Sequence, residues 1–175
     1  FYLDARVYSP SNKPTAYEIG ALALDDPYKS AADVATTGNL AATYANGSAG
    51  VGATLTATAN GALSIDGVAC QAGYRVLVKN QTSSAQNGIY AVTNPGSATT
   101  PWVLTRVADA DTTARLAGAV VTVDHGTANG SLLFTNDWKK TSTVGTNGMN
   151  WRVVVDSGNI SSYHHGSGVP AGTYR

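Results

Sequence analysis

The chain has 175 residues, enough for one domain with or without arms, and its 11 basic and 11 acidic side chains cancel. A neutral chain lacks the basic surface that nucleic acid demands. With 13% charged and 43% hydrophobic residues it is not a disordered polyelectrolyte either. No apolar run is long enough to form a membrane-spanning helix. The single cysteine, Cys70, has no partner for an intrachain disulfide and no companions for a zinc site.

Ala, Gly, Thr, Ser and Asn make up about half of the chain, with 19 glycines among them. Small and β-branched residues with few charges predict strands joined by tight turns. The chain begins at Phe1 rather than Met and shows no basic leader segment, which reads as a piece of a longer protein.

Residues 1–33 predict an extended arm. Tyr2, Tyr8, Tyr17 and Tyr28 are interleaved with Pro10, Pro14 and Pro27. Proline at this spacing prevents a long helix or a central strand. An arm of this kind has no core of its own, and tyrosine is enriched at interfaces. The four tyrosines are therefore the expected docking residues.

Residues 34–157 predict an all-β module of about eight short strands, an antiparallel sandwich or a barrel-like closure. Val51, Ala53, Leu55 and Ala57 alternate with Gly52, Thr54, Thr56 and Thr58, the period of a half-buried strand. Asn60-Gly61 and Asp66-Gly67 mark turns. Tyr74, Val76 and Val78 share one strand face, with Arg75, Leu77 and Lys79 on the other. The polar loop 80–88 then leads into a second strand at Ile89–Val92, a hairpin with a long connection.

Strands are expected next at 102–106, 119–124, 132–135 and 151–155. Residues 108–115 hold the best helical turn of the chain. Arg106, Asp109 and Asp111 are expected to form a charge cluster that fixes this turn. Residues 158–175 are polar and Gly/Ser-rich, with His164 and His165, and predict a linker leading onward.

Candidate chemistry is sparse. His125 follows Asp124 and lies near Ser131, but no G-x-S-x-G turn is present to expose a nucleophile. Adjacent His164 and His165 would point to opposite faces of a strand, a poor arrangement for one ion. Asp109 and Asp111 lack a sugar cleft for glycoside hydrolysis, and they lack the distal ligands of a calcium loop. No catalytic residue, metal or cofactor is expected. Trp138, in the polar run Asn136-Asp137-Trp138-Lys139-Lys140, has two readings: a surface ring for stacking on a ligand, or a cap on the core from a loop.

Several segments together resemble a known family. They are Ser64-Ile65-Asp66-Gly67-Val68, Ala72-Gly73-Tyr74-Arg75-Val76-Leu77-Val78-Lys79-Asn80-Gln81-Thr82, Gln86-Asn87-Gly88-Ile89-Tyr90, Trp102–Arg106 and Ala108-Asp109-Ala110-Asp111. Their content and order resemble a small β module of bacteriophage tail fibre and tail proteins, over about residues 36–124. Tyr74 departs from the family, which places a small polar or acidic residue there. Gly166–Tyr174 is similar to a short segment that precedes thin-shaft modules in phage fibres.

The resemblance implies a structural virion protein, the virion-proximal part of a tail fibre, assembled as a homotrimer. Its implied partners are other tail, baseplate or neck proteins. A host receptor would be met through a distal region outside this chain. Two non-enzymatic alternatives stand beside it: a host-surface glycan-binding adhesin using Trp138 and nearby loops, and a capsid or neck fibre protein.

Overall fold

The structure is a computed structural model and describes residues 26–155. It is mainly β. Eleven strands in three sheets accompany one short helix among the described residues.

The strands, in chain order, are β1 (Val34–Ala35), β2 (Ala42–Ala45), β3 (Thr54–Ala57), β4 (Ser64–Ile65), β5 (Val68–Ala69) and β6 (Arg75–Val78). They continue with β7 (Gly88–Asn94), β8 (Val103–Arg106), β9 (Val120–Thr122), β10 (Leu133–Asn136) and β11 (Trp151–Val155). A 3₁₀ turn at Ala108–Ala110 and the helix α1 (Thr113–Leu116) lie between β8 and β9, where a helical turn is predicted.

The largest sheet has the order β1-β6-β7-β8-β3-β2, antiparallel except for the parallel pair β1–β6. The second has the order β11-β10-β9, and β4–β5 form a separate hairpin. The six-stranded sheet is open, with β1 and β2 at its edges.

Strands β6 and β7 are covered on both faces, which explains their continuous apolar sequence. Val76, Val78, Tyr90 and Val92 point into one core with Leu55, Leu104, Leu63, Ile65 and Trp102. Leu77 and Ile89 point into the other, shared with Val121 and Phe134 of the three-stranded sheet and with Leu116, Met149 and Trp151. The alternation predicted for 74–79 is thus present, but both faces are interior.

The alternation predicted from Val51 is shorter than expected. Val51 is 46% exposed and lies in a turn, where it bridges to Ser48. Gly50 adopts φ +105, and a Cβ there would stand 2.5 Å from both the Asp111 carbonyl oxygen and Val144 Cγ1. The glycine lets the turn lie flat on the second core, and strand pairing starts only at Thr54.

Residues 27–33, at the end of the expected arm, run alongside the three-stranded sheet. Tyr28 and Ala32 bridge in parallel to Val120 and Val123, alongside β9. Asp33 then donates its N–H to the Arg75 carbonyl, and its carboxylate accepts the Arg75 N–H at 2.6 Å. One strap, 27–36, is therefore bonded first to the three-stranded sheet and then to the six-stranded one.

Candidate functional site

The residues that carry the resemblance fold into three polar locks. The first is Asp66, at the tip of the β4–β5 hairpin. Asp66 (φ 51) and Gly67 (φ 82) both take the left-handed region, as a two-residue hairpin turn of this hand requires. The Asp66 carboxylate then reaches the turn at 126–130. It accepts the N–H of Ala128 at 2.9 Å and of Asn129 at 2.8 Å, and the Asn129 side-chain amide at 3.0 Å. Asn129 passes the link on by donating to the Ala35 carbonyl at 3.2 Å.

Two effects act on the Asp66 carboxyl. Burial opposes its charge, but the hydrogen bonds from Ala128, Asn129 and Thr127 together outweigh it and hold its pKa below 3.8. A depressed folded-state pKa means stability that is present above the unfolded value and lost as pH falls through the folded one. Asp66→Asn is therefore expected to destabilise the module at pH 7. Its deficit against the wild type should shrink as pH drops below about 3.8. Thermal melts of both proteins between pH 7 and pH 2 check this; parallel curves would refute it.

The second lock ties the loop after β6 to the segment after β1. Gln81 bonds both backbone groups of Leu40, accepting its N–H at 2.7 Å and donating to its carbonyl at 3.2 Å. Thr36 Oγ1 accepts the Lys79 N–H at 3.0 Å and donates to Asn80 Oδ1 at 3.1 Å. Asn39 Oδ1 accepts the Thr82 N–H at 2.8 Å. Asn87, 2% exposed, accepts the Gln81 N–H at 3.0 Å. Its amide donates to the carbonyls of Lys79 at 3.2 Å and Met149 at 2.9 Å.

The third lock is Arg106, 4% exposed. It does not join Asp109 and Asp111, contrary to the expected charge cluster. The strand alternation of β8 sends its side chain into the sheet, where it donates to Tyr90 Oη at 2.8 Å and to the Asn87 carbonyl at 3.1 Å. The guanidinium also stands 4.7 Å from the centroid of the Tyr90 ring. Asp109 pairs instead with Arg75 at 2.9 Å, and Asp111 with Arg115 at 2.7 Å. No spacing rule connects Arg75 with Asp109; only the fold brings them together.

The surface holds few groups arranged for chemistry. His125 and Asp124 have exposed side chains just before the turn at 126–130. Among the described residues no three His, Cys, Asp or Glu side chains are grouped so as to hold a metal ion. Cys70 is buried, and burial pushes its thiol up to about 11. At pH 8 the native protein is expected to react with a disulfide reagent about 100-fold more slowly than the unfolded chain, the loss of thiolate that two pKa units represent. Equal rates with and without denaturant would contradict the burial.

The described residues form two further concave surfaces of note. A cleft of about 310 Å³ is lined by Asn39–Ala41, Ala57–Ser64 and Trp102. A wider hollow of about 580 Å³ is lined by Pro27, Thr113, Ala114, Ala117 and Lys140, where the strap begins.

The expected docking and ligand residues fall unevenly on this surface. Tyr2, Tyr8 and Tyr17 lie outside the described residues, as do His164 and His165. Tyr28 is 67% exposed, next to Pro27 at the rim of the wider hollow. Trp138 is only 6% exposed and packs in the core with Phe134, Val144 and Trp151. It presents no open ring face for stacking, so the stacking reading is corrected to that of a core cap. The polar neighbours that suggested a surface position turn outward around it: Lys139 and Lys140 are exposed, and Asp137 accepts the Asn150 N–H at 3.0 Å.

No protein-family model matches the chain, no curated protein matches it, and no solved structure matches it.

Proposed function

We propose that this chain is a structural virion protein, the virion-proximal part of a phage tail fibre. In this reading residues 26–155 are a rigid, sandwich-like spacer, the preceding tyrosine-bearing arm docks to the tail or baseplate, and the chain beyond leads to a distal shaft. The assembly is a homotrimer, and three copies multiply weak distal contacts into avidity.

One observation supports the reading most. The polar residues of the resembling segments spend their hydrogen bonds within the protein: Asp66 on residues 128–129, Gln81 on Leu40, Asn87 on the loop 79–81 and on Met149, and Arg106 on the Asn87 carbonyl and the Tyr90 hydroxyl. Buried polar groups paired in this way fix one geometry for the loops they bind, and Arg106 does so through Nη2 alone, its Nε and Nη1 having no hydrogen-bond partner. A part whose task is to hold position needs that property. The exposed Tyr28, where the chain enters the module, suits a docking end.

Immuno-electron microscopy of phage particles that carry this chain, with antibody against residues 34–155, tests the reading. Label at the base of a tail fibre is expected. Label on the capsid or neck would transfer the chain to a capsid or neck fibre, and particles without label would end the virion reading. The glycan-binding alternative would have to move from Trp138 to the cleft beside Trp102, where Asn39, Asn60 and Ser64 offer polar groups.

A further inference from the structure

The strap alongside β9 and the edge strand β11 on the far side of the three-stranded sheet run in the same direction. Residues 27–33 lie parallel to β9, with Tyr28 against Val120 and Ala32 against Val123. At the other side of the layer, β11 is antiparallel to β10, which is itself antiparallel to β9. β11 is therefore parallel to the strap. The chain enters this layer at one end and leaves it at the opposite end. Tension between the two sides draws the strap and β11 along their own axes in opposite senses.

Strands pulled along their axes slide, and every ladder bond between them is loaded at once. Strands pulled apart from one end peel, and the bonds break one at a time. We propose that the module is a shear-loaded mechanical link, in which the strap 27–36, bonded to β9 and β6 together, carries tension that enters at Asp26 and leaves at Val155.

The strap is built for this load. Against β9 and its continuation, Lys29 and Ala32 donate to the Val120 and Thr122 carbonyls, both at 2.8 Å. Val120, Asp124 and His125 donate back to Pro27, Ala32 and Asp33 at 2.7, 2.9 and 2.8 Å. Against β6, Asp33 and Thr36 donate to Arg75 and Leu77 at 2.8 and 3.0 Å, and the Asp33 carboxylate holds the Arg75 N–H. Ala32, Val34 and Ala35 are fully buried, so sliding would also drag apolar side chains out of both cores. Exposed β11 side chains such as Val154 contribute little, but Trp151 is 8% exposed and anchors that strand in the second core.

This inference deepens the fibre reading, on which its biological use rests. Its test is physical and separate. The full chain is pulled in optical tweezers in two geometries. In the first, handles are attached at the two chain termini. In the second, one handle moves to Gly38→Cys, just past the strap. A Cβ at Gly38 meets nothing within 4 Å, and buried Cys70 leaves the new thiol as the reactive one. Gly38 follows the strap at the end where β11 leaves the layer, so this second pull peels instead of sliding.

The rupture force from the termini is expected to exceed the Gly38→Cys force at least about twofold, since forced unfolding reports the barrier along the direction of pull. Equal forces would overturn the proposal. Ala32→Pro removes the N–H bonded to Thr122 and should lower the terminal force while leaving the peeling force unchanged. An unchanged terminal force would assign the strength to β11 and overturn the role of the strap. If Ala32→Pro does not fold, the comparison of geometries on the intact strap still decides. A strong link in a chain that antibody finds off the fibre would leave the mechanics standing and remove the fibre reading. A weak link on the fibre would do the reverse.

Discussion

Asn87→Ala is expected to lower stability by about 3–5 kcal/mol, and the melting temperature by roughly 10 °C or more. Asn87 ties the loop after β6 to β7 and to the residue just before Asn150 and β11, through Gln81, Lys79 and Met149. It is 2% exposed, and two of the three contacts are fully buried, so water does not replace them readily. Each buried group left without its partner costs about 1–3 kcal/mol.

Asn87→Asp separates this account from simple loss of volume. Aspartate keeps the acceptor for Gln81 but turns a second acceptor towards the Lys79 and Met149 carbonyls. At pH 7 it should cost at least as much as alanine. At low pH the protonated carboxyl regains a donor, and its deficit relative to Asn87→Ala should narrow. Urea titrations of the three proteins at pH 7 and pH 4 provide the comparison. An Asn87→Ala change below about 1 kcal/mol, the worth of a single ordinary bond, would refute the three-way tie.

Gly96→Ala is the second large effect. Gly96 follows Asn94-Pro95 in the β7–β8 hairpin, takes φ +76 and receives the Asn94 side chain on its N–H at 2.9 Å. A Cβ at this position would stand 2.0 Å from the Gly61 carbonyl oxygen and 2.9 Å from the Trp102 N. Both obstacles are backbone, so no rotamer change relieves them. The left-handed conformation alone adds about 1 kcal/mol for a residue with a Cβ. The sum is expected to reach about 3 kcal/mol or more, with the damage centred on segment 58–64 and the Trp102 cleft. Loss of the Trp102 fluorescence environment at temperatures where the rest of the module still melts cooperatively would locate it. By contrast Gly38→Ala, with open space around its Cβ, should change stability by less than about 0.5 kcal/mol.

Much of this architecture is legible in the sequence. Period-two alternation pointed to β3, β6 and β11, because side chains on a strand alternate faces wherever at least one face is buried, and short apolar runs between turn signals pointed to β7, β8, β9 and β10. Asp66-Gly67 announced its turn through residues that tolerate or require unusual backbone angles. The strands that escaped are β1, β2, β4 and β5, none longer than four residues. Val34–Ala35 carries too few residues to show any period. Ala42–Ala45 is built from small residues with little contrast between faces, and pattern reading depends on contrast. Trp138 stayed open between two readings for a related reason: its neighbours are polar, and a single buried ring in a loop leaves no periodic trace to choose the core cap.

Composition, turn chemistry and alternation determined that the chain is mainly β, that it is neutral, and that its polar motifs sit at turns. These are local properties, set by what each residue allows its own backbone and immediate neighbours. The tertiary structure alone decided which polar groups meet. Asp66 finds its donors 62 and 63 residues away, and Asn87 reaches Met149 across 62. Arg75 takes Asp109 across 34, while Arg106, nearer in sequence, takes a tyrosine instead. Such pairings depend on strand order and register. The parallel strap, which joins two sheets and sets the direction in which the chain passes through them, exists only once both sheets are in place.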